Sequence, residues 1–364
     1  MARLARREVI DPTEIQICHT ISRCVRRAFL CGDDPLSGQG YDHRRQWIRD
    51  RLEFLASVFG IDCLTYAVMS NHIHLVLRSR PDIVATWSDE EVARRWLRLF
   101  PARREKNGSP AEPTEAEIAV IVNQPEVLAE RRRRLSDISW WMRCTTEHIA
   151  RRANREDRCT GHFWEGRYKC QRLLDEAALL ACAAYVDLNP IRAAMAEKPE
   201  EEGTFTGAKD RIDDQTGKDN AGSGRKPNRK KMHDRERNGP GPKSGWLSPL
   251  EANESTDPQG EDPCKSGRRA SRKGFLAVSL SEYLEFLDWT GRQIHRKKRG
   301  RIPDDLSPIL DRIGLDASGW CDLVKQFGRT FKRVAGTSEH LVEEATRRGQ
   351  CWVQAPGNPL TVAN

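Results

Sequence analysis

The chain of 364 residues is long enough for one sizeable core and a second folded unit, and its formal net charge of +8 suits either a polyanionic partner or an ordinary solvated surface. Its eleven cysteines contain no C-x-x-C pair, which argues against a zinc ribbon, and we find neither a secretory leader nor a membrane-spanning run. We therefore expect a protein of the reducing cytoplasm without a membrane partner.

The first predicted elements are a strand, a helix and a hairpin. Apolar and polar residues alternate from Ile15 in EIQICHTISRCV, which predicts a strand with His19 on its apolar face. The segment HRRQWIRDRLEFLASVFG has helical spacing and ends at Gly60, a typical helix stop. Two strand-like runs then meet at Ser70 and Asn71, a turn-forming pair that predicts a β-hairpin.

The middle of the chain predicts mainly helices. Ser88 and Glu91 form a capping box for a helix that ends near Phe100, and the Pro- and Glu-rich residues 101–125 predict a loop. A long basic helix is predicted over 127–154. Its RRRR run is either a solvated face or a nucleic-acid contact.

A strand and a buried helix end the first predicted domain, which spans residues 10–196. HFWEGRYKCQRLL predicts the strand, and DEAALLACAAYVDLN predicts a helix that is apolar nearly all round and ends at Pro190. Residues 197–273 are poor in large apolar side chains, so we expect a disordered polar linker there. Apolar periodicity then returns and predicts a small helical domain of unknown role over 274–364.

Two histidines one residue apart are the first candidates for chemistry. Side chains two positions apart share a face of a strand, so His72 and His74 in MSNHIHLVL project together. Two neutral imidazoles held in this way can chelate one divalent cation, although an H-x-H pair alone is a weak signal. A metal centre for chemistry also needs a further ligand and a reactive group nearby.

The predicted buried helix supplies a tyrosine and an asparagine. Tyr185 and Asn189 are four residues apart and therefore share a helical face, where they could present a phenolic oxygen and an amide oxygen to one metal-bound group. The alternatives are an ordinary core tyrosine for Tyr185 and a helix stop before Pro190 for Asn189.

Three motifs in one order, MSNHIHLVL, FWEGRYK and YVDLNPIRA, resemble the single-tyrosine HUH transposases, in particular their REP-associated branch. The resemblance covers residues 10–196. His72, Ile73 and His74 match the His–hydrophobic–His motif, and the residues from Tyr185 match the family signature Y-I-x-x-N-P-V-R-A-G with three changes. The changes are Val186 for Ile, Ile191 for Val and Ala194 for Gly, and none removes a reactive group.

The resemblance implies an α+β fold with a ferredoxin-like (RRM-like) antiparallel sheet and helices on one face. It also implies that His72, His74 and Asn189 bind Mg²⁺ or Mn²⁺ and that Tyr185 is the nucleophile of a DNA cleavage and strand transfer reaction with a 5′-phosphotyrosine intermediate. Tyr168 ranks second as the nucleophile, because Arg172 stands where a ligand would be expected four residues on.

The same resemblance implies single-stranded or hairpin DNA as the partner and a location in the cytoplasm, or at the nucleoid when the protein is bound to DNA. The oligomeric state is either a monomer or a homodimer. Candidate DNA contacts are Trp164, Arg167, Lys169 and Arg192, each of which also fits an exposed or packing role. One alternative function is a domesticated protein of the same fold that binds hairpin DNA without cutting it. Another is a replication or conjugation initiator, but the sequence shows no Gly-rich phosphate loop.

Overall fold

An open five-stranded sheet is the centre of the fold. The computed structural model describes residues 10–25, 30–34, 38–106, 110–222, 243–252, 260–294, 309–310, 313–350, 352–353 and 360–361. The strands are β1 (Ile17–Arg23), β2 (Ile61–Val68), β3 (His72–Ser79), β4 (Lys169–Leu173) and β5 (Val334–Ala335), in the spatial order β2-β3-β1-β4-β5. Neighbouring strands are antiparallel except β4 and β5, which are parallel. The predicted first strand and hairpin are confirmed, whereas the strand predicted over 162–174 is confined to Lys169–Leu173.

Twelve helices and a short pair of strands complete the described residues. The helices are α1 (His43–Val58), α2 (Pro81–Ala85), α3 (Asp89–Leu99), α4 (Glu115–Val122), α5 (Pro125–Arg134), α6 (Ile138–Glu156), α7 (Glu176–Asp187), α8 (Asn189–Arg192), α9 (Gly207–Gly222), α10 (Leu280–Ile294), α11 (Ala317–Thr330) and α12 (Ser338–Arg347). The pair is β6 (Trp352–Val353) with β7 (Leu360–Thr361). None of the described helices is both long and apolar enough to cross a membrane.

Different helices cover the two faces of the sheet. Ile73, Leu75 and Leu77 of β3 point into a core shared with α1, α3 and α6, whereas Val76 points into a second core with α7, α10 and α11. Helices therefore lie on both faces, which corrects the predicted arrangement with helices on one face. The reason is the composition of α7, which is buried on nearly all sides and therefore needs both the sheet and a further layer of helices around it.

Two predictions for the middle of the chain are also corrected. The helix predicted over 127–154 is divided into α5 and α6, because Asp137 starts a new helix by accepting a hydrogen bond from the Ser139 backbone N–H at 2.7 Å. The loop predicted over 101–125 contains α4, whose first turn is closed by the capping box of Thr114 and Glu117.

The segment predicted as a linker, 197–273, contains folded structure where the structure describes it. It includes α9, and Trp246 is fully buried. Polar residues of α9 bind the sheet: Arg211 donates to the Leu64 carbonyl at 2.7 Å, and Asp210 accepts from the Tyr66 hydroxyl at 3.0 Å. Specific polar pairs therefore replace the apolar content that the segment lacks. Residues 223–242 and 253–259 lie outside the described residues, and the division into three domains stays a prediction.

Candidate active site

Two histidines lie on one face of β3, which is fixed between β1 and β2. The ring centroids of His72 and His74 are 4.7 Å apart, with the ring planes at 70°. His74 is fully buried, whereas His72 is partly exposed and contacts the side-chain oxygen of Asn71. The structure thus places both imidazoles together, as strand alternation predicts.

A third histidine joins the pair from β1. The rings of His19 and His74 lie edge to edge and nearly in one plane, with centroids 5.1 Å apart and planes at 12°, and the distance between His19 Nε2 and His74 Nδ1 is 2.9 Å. Its other ring nitrogen, Nδ1, lies 3.5 Å from Oε1 of Gln171 on β4. Sequence reasoning placed His19 on the apolar face of a strand and gave it no role. The available signal was this polar, titratable residue among apolar neighbours on a strand.

Helix α7 brings Tyr185 to the histidines. The tyrosine ring meets His74 at 5.6 Å and His19 at 5.9 Å between centroids, with nearly perpendicular planes in both cases. The guanidinium of Arg192, on α8, lies 4.4 Å from the centroid of the tyrosine ring. The structure therefore brings Tyr185 next to histidines that are more than 100 positions away in the sequence.

Helix α11 covers Tyr185 from the other side. Phe327 packs on the tyrosine ring with centroids 5.7 Å apart. The next residue, Gly328, lies so close that a Cβ atom there would be 2.8 Å from the Tyr185 hydroxyl oxygen. Arg192 donates a hydrogen bond to the Lys325 carbonyl at 2.7 Å, which ties α8 to α11. The C-terminal part of the chain thus forms one wall of the site, a contribution that the sequence did not reveal.

Asn189 occupies the start of α8, one turn after Tyr185. Its side chain is buried, and its amide nitrogen has no hydrogen-bond partner among the described residues. A buried amide N–H group without a partner is costly, and the group that it lacks is a hydrogen-bond acceptor rather than a cation. Asn189 is not among the described residues that line the cavity at the histidines.

A cavity of about 580 Å³ opens at His72, His74 and Tyr185. Its lining contains six cationic side chains and one carboxylate. The cations are Arg23, Arg167, Lys169, Arg192, Lys325 and Arg329, and the carboxylate is Glu165. Low-dielectric walls lined with one sign of charge attract ions of the opposite sign, so this cavity favours an anion.

The three imidazoles are neutral at neutral pH. Burial is the main cause that lowers the pKa of His19 and of His72 to about 4, and nearby positive charge on Arg23 and Lys169 lowers that of His72 further. Burial also holds the pKa of His74 well below its ordinary 6.5. A neutral imidazole keeps the lone pair that a metal ion needs.

The chain supplies only part of a metal shell. In the part of the chain that the structure describes, no three His, Cys, Asp or Glu side chains are arranged to hold a metal ion. His74 Nε2 is nevertheless buried and has no hydrogen-bond partner among the described residues. A cation at this position would have His74 Nε2 as one ligand and would need its remaining ligands from water, from an amide or from a bound substrate.

The other predicted site residues divide between the cavity and the opposite core. Arg167, Lys169 and Arg192 line the cavity. Tyr168 lies in the core with α1 and α6, where its hydroxyl is 3.0 Å from the Ser139 hydroxyl. Trp164 packs against the same core and donates its indole N–H to the Thr146 carbonyl at 2.7 Å.

Comparison of the chain with protein-family models, with curated proteins and with solved structures gave no match.

Proposed function

We propose that this protein is a metal-dependent enzyme that cuts and rejoins single-stranded DNA. More particularly, we propose a single-tyrosine HUH transposase-like strand transferase in which Tyr185 is the nucleophile. The observation that carries the proposal is the contact of the Tyr185 ring with His74 inside a cavity lined by six cations. That combination joins a nucleophile, potential metal ligands and a surface for phosphates.

The proposal extends to the fold of the catalytic unit. The first four strands have the order β2-β3-β1-β4, and α1 and α6 contribute to the same core on one face. This arrangement supports a ferredoxin-like unit to which α7 and the C-terminal helices add a second layer. Tyr185 then belongs to the added layer and the histidines to the sheet.

The proposed function includes a divalent metal ion at the neutral pair of histidines. His72 and His74 would hold Mg²⁺ or Mn²⁺, and Asn189, one turn after Tyr185, is the candidate for an oxygen ligand. When bound, such an ion supplies polarisation of the scissile phosphate and offsets charge that develops at phosphorus. Two imidazoles are unusual partners for a cation that prefers oxygen, and this suits a site where phosphate oxygens complete the shell.

The chain's own residues position the DNA and the nucleophile. The Tyr185 oxygen attacks phosphorus and loses its proton to solvent. The new bond to the tyrosine forms as the bond to the 3′ oxygen breaks, and the leaving oxygen takes up a proton. Lys169, Arg167 and Arg192 line the cavity and are the candidates to bind the flanking phosphates. The covalent 5′-phosphotyrosine conserves the bond energy, so another 3′-hydroxyl can reverse the step.

The test is the formation of a covalent protein–DNA band with labelled hairpin DNA and Mn²⁺. We expect the band with the wild type and with Tyr168→Phe, and we expect its loss in Tyr185→Phe, because the Tyr185 ring packs on His74 whereas the Tyr168 hydroxyl lies at Ser139 in the opposite core. A band that survives Tyr185→Phe would exclude Tyr185 as the nucleophile. Tight hairpin binding without any band would instead support the domesticated, non-cleaving protein.

A further inference from the structure

His19 has both of its ring nitrogens engaged. Its Nε2 is 2.9 Å from His74 Nδ1, and its Nδ1 is 3.5 Å from Gln171 Oε1. The three residues come from adjacent strands: His19 pairs directly with Gln171 across β1 and β4, and His74 pairs with Ile21, two residues further along β1. All three side chains are buried.

The direction of each hydrogen bond in this chain of contacts follows from Gln171, the residue at its end. The Gln171 amide is oriented with its carbonyl oxygen toward His19, and with this orientation the oxygen accepts, so Nδ1 of His19 carries the proton and its Nε2 is an acceptor. Nδ1 of His74 must then donate to His19 Nε2, because a hydrogen bond needs one proton between the two nitrogens. His74 Nε2 is left with a bare lone pair, and this is the atom that lacks a partner among the described residues.

We propose that His19 is a positioning residue that fixes His74 in its Nδ1–H tautomer and thereby keeps the Nε2 lone pair available to a divalent cation. The metal in this statement rests on the proposed function, whereas the tautomer is a property of the metal-free protein. His19 itself is not a ligand, since Gln171 and His74 occupy both of its nitrogens. Outer-shell partners of this kind orient a ligating imidazole, and their loss costs about 10- to 100-fold in metal affinity.

The first experiment determines the tautomer of His74 in the full, metal-free chain by ¹H–¹⁵N NMR with ¹⁵N-labelled histidine. His74→Gln identifies its signals. We expect the proton on Nδ1, together with a proton on His19 Nδ1. A proton on His74 Nε2 would overturn the inference, because the lone pair would then face His19. This measurement needs neither metal nor DNA.

The second experiment compares two substitutions of His19 by Mn²⁺ titration with electron paramagnetic resonance. His19→Phe keeps a ring but cannot accept a hydrogen bond, and we expect the dissociation constant for Mn²⁺ to rise about 10- to 100-fold. His19→Gln can accept the proton of His74 Nδ1, so we expect it to stay within about threefold of the wild type. His148→Gln, on α6 away from the site, is the matched control and should bind as the wild type.

Other outcomes separate the two hypotheses. Wild-type Mn²⁺ affinity in His19→Phe would overturn the positioning role of His19. A loss of Mn²⁺ affinity in His19→Gln as large as that in His74→Ala would instead mean that His19 is itself a metal ligand. If His74→Ala leaves Mn²⁺ binding unchanged, the metal site of the proposed function fails. The NMR measurement in the metal-free chain then still decides whether His19 fixes the tautomer of His74.

Discussion

At the scale of single residues, a buried carboxylate fixes the helix that carries the tyrosine. Asp187 is two residues after Tyr185 and 1% exposed. It accepts hydrogen bonds from the Thr65 hydroxyl at 2.7 Å, from the Tyr283 hydroxyl at 2.7 Å and from the Ala208 backbone N–H at 3.0 Å. These donors belong to β2, α10 and the start of α9, so one carboxylate ties α7 to three other elements.

Removal of this acceptor should destabilise the protein strongly. Asp187→Ala leaves three buried donors without a partner at about 1–3 kcal/mol each, so we expect the free energy of unfolding to fall by about 3 kcal/mol or more. Asp187→Asn keeps one oxygen and should lose less. Urea denaturation measures both, and Asp50→Asn, at an exposed aspartate of α1, should change stability by less than about 0.5 kcal/mol. Equal stability of Asp187→Ala and the wild type would contradict the anchoring role.

The wild type and Asp187→Asn also test how stability depends on pH. Burial raises the pKa of the Asp187 carboxyl above its ordinary 3.8, despite the three donors. The folded state then holds the proton more tightly than the unfolded chain. This group's contribution to stability is fully present below 3.8 and is lost as the pH rises through the folded-state pKa. Relative to Asp187→Asn, the wild type should therefore lose stability as the pH is raised through this window.

The sequence identified the residues whose role depends on local spacing. His72 and His74 share a face because strand alternation has a period of two, and that geometry could be predicted. The contact of His19 with His74 could not, because it depends on the register of β1 against β3, which no local pattern specifies. The backbone conformation at Ala194 could be predicted in part. The signature that this segment resembles has glycine at this position, and Ala194 has φ = 54°, in the left-handed region where glycine is favoured.

At the scale of elements, α11 restricts the position of the tyrosine. The Tyr185 ring lies against Phe327, and its hydroxyl lies against the backbone at Gly328. A helix interior normally disfavours glycine relative to alanine by about 1 kcal/mol. Gly328 is therefore a costly choice that is explained by the approach of the tyrosine hydroxyl.

Gly328→Ala should displace Tyr185 without unfolding α11. The added Cβ would lie 2.8 Å from the hydroxyl oxygen and 3.4 Å from Cζ, so the end of the tyrosine side chain must move. A misplacement of about 1 Å can cost about 100-fold in rate, and we expect a loss of up to that size in covalent adduct formation. Single-turnover assays with hairpin DNA measure it, and circular dichroism checks the fold. Gly217→Ala, in α9, is the control and should keep the rate, because outside its own helix backbone a Cβ there meets no atom of the described residues within 4 Å. An unchanged rate in Gly328→Ala would mean that α11 does not position the tyrosine.

Elements with a strong apolar pattern were predictable, and those that depend on partners were not. The strands and α7 have clear apolar patterns. In contrast, α9 is rich in polar residues, and it forms where Arg211 and Asp210 find partners on the sheet. Such pairs are specific to the tertiary structure and leave no signal in the local composition.

At the scale of the whole molecule, residues before and after position 196 share one core. Its C-terminal members pack around α7, and they include Tyr283, Phe286, Leu287, Trp320, Val324 and Phe327. In addition, β5 extends the sheet at β4. The residues of the predicted catalytic domain, 10–196, therefore have an apolar face that the C-terminal residues cover. The resemblance ends at 196, whereas the packing continues past it.

A chain that ends after residue 273 should consequently lose cooperative folding. Burial of a large apolar side chain contributes about 1.5–3 kcal/mol, so loss of six such partners exposes surface worth about 10 kcal/mol or more. This is comparable to the whole stability of a typical domain, about 5–15 kcal/mol. We expect the shortened chain to show no cooperative thermal transition and to bind a hydrophobic dye, whereas a chain ending after residue 350, which keeps α10, α11 and α12, should unfold cooperatively. A cooperative transition in the shorter chain, together with covalent adduct formation, would show that the first 273 residues fold independently and that α11 is dispensable for the site.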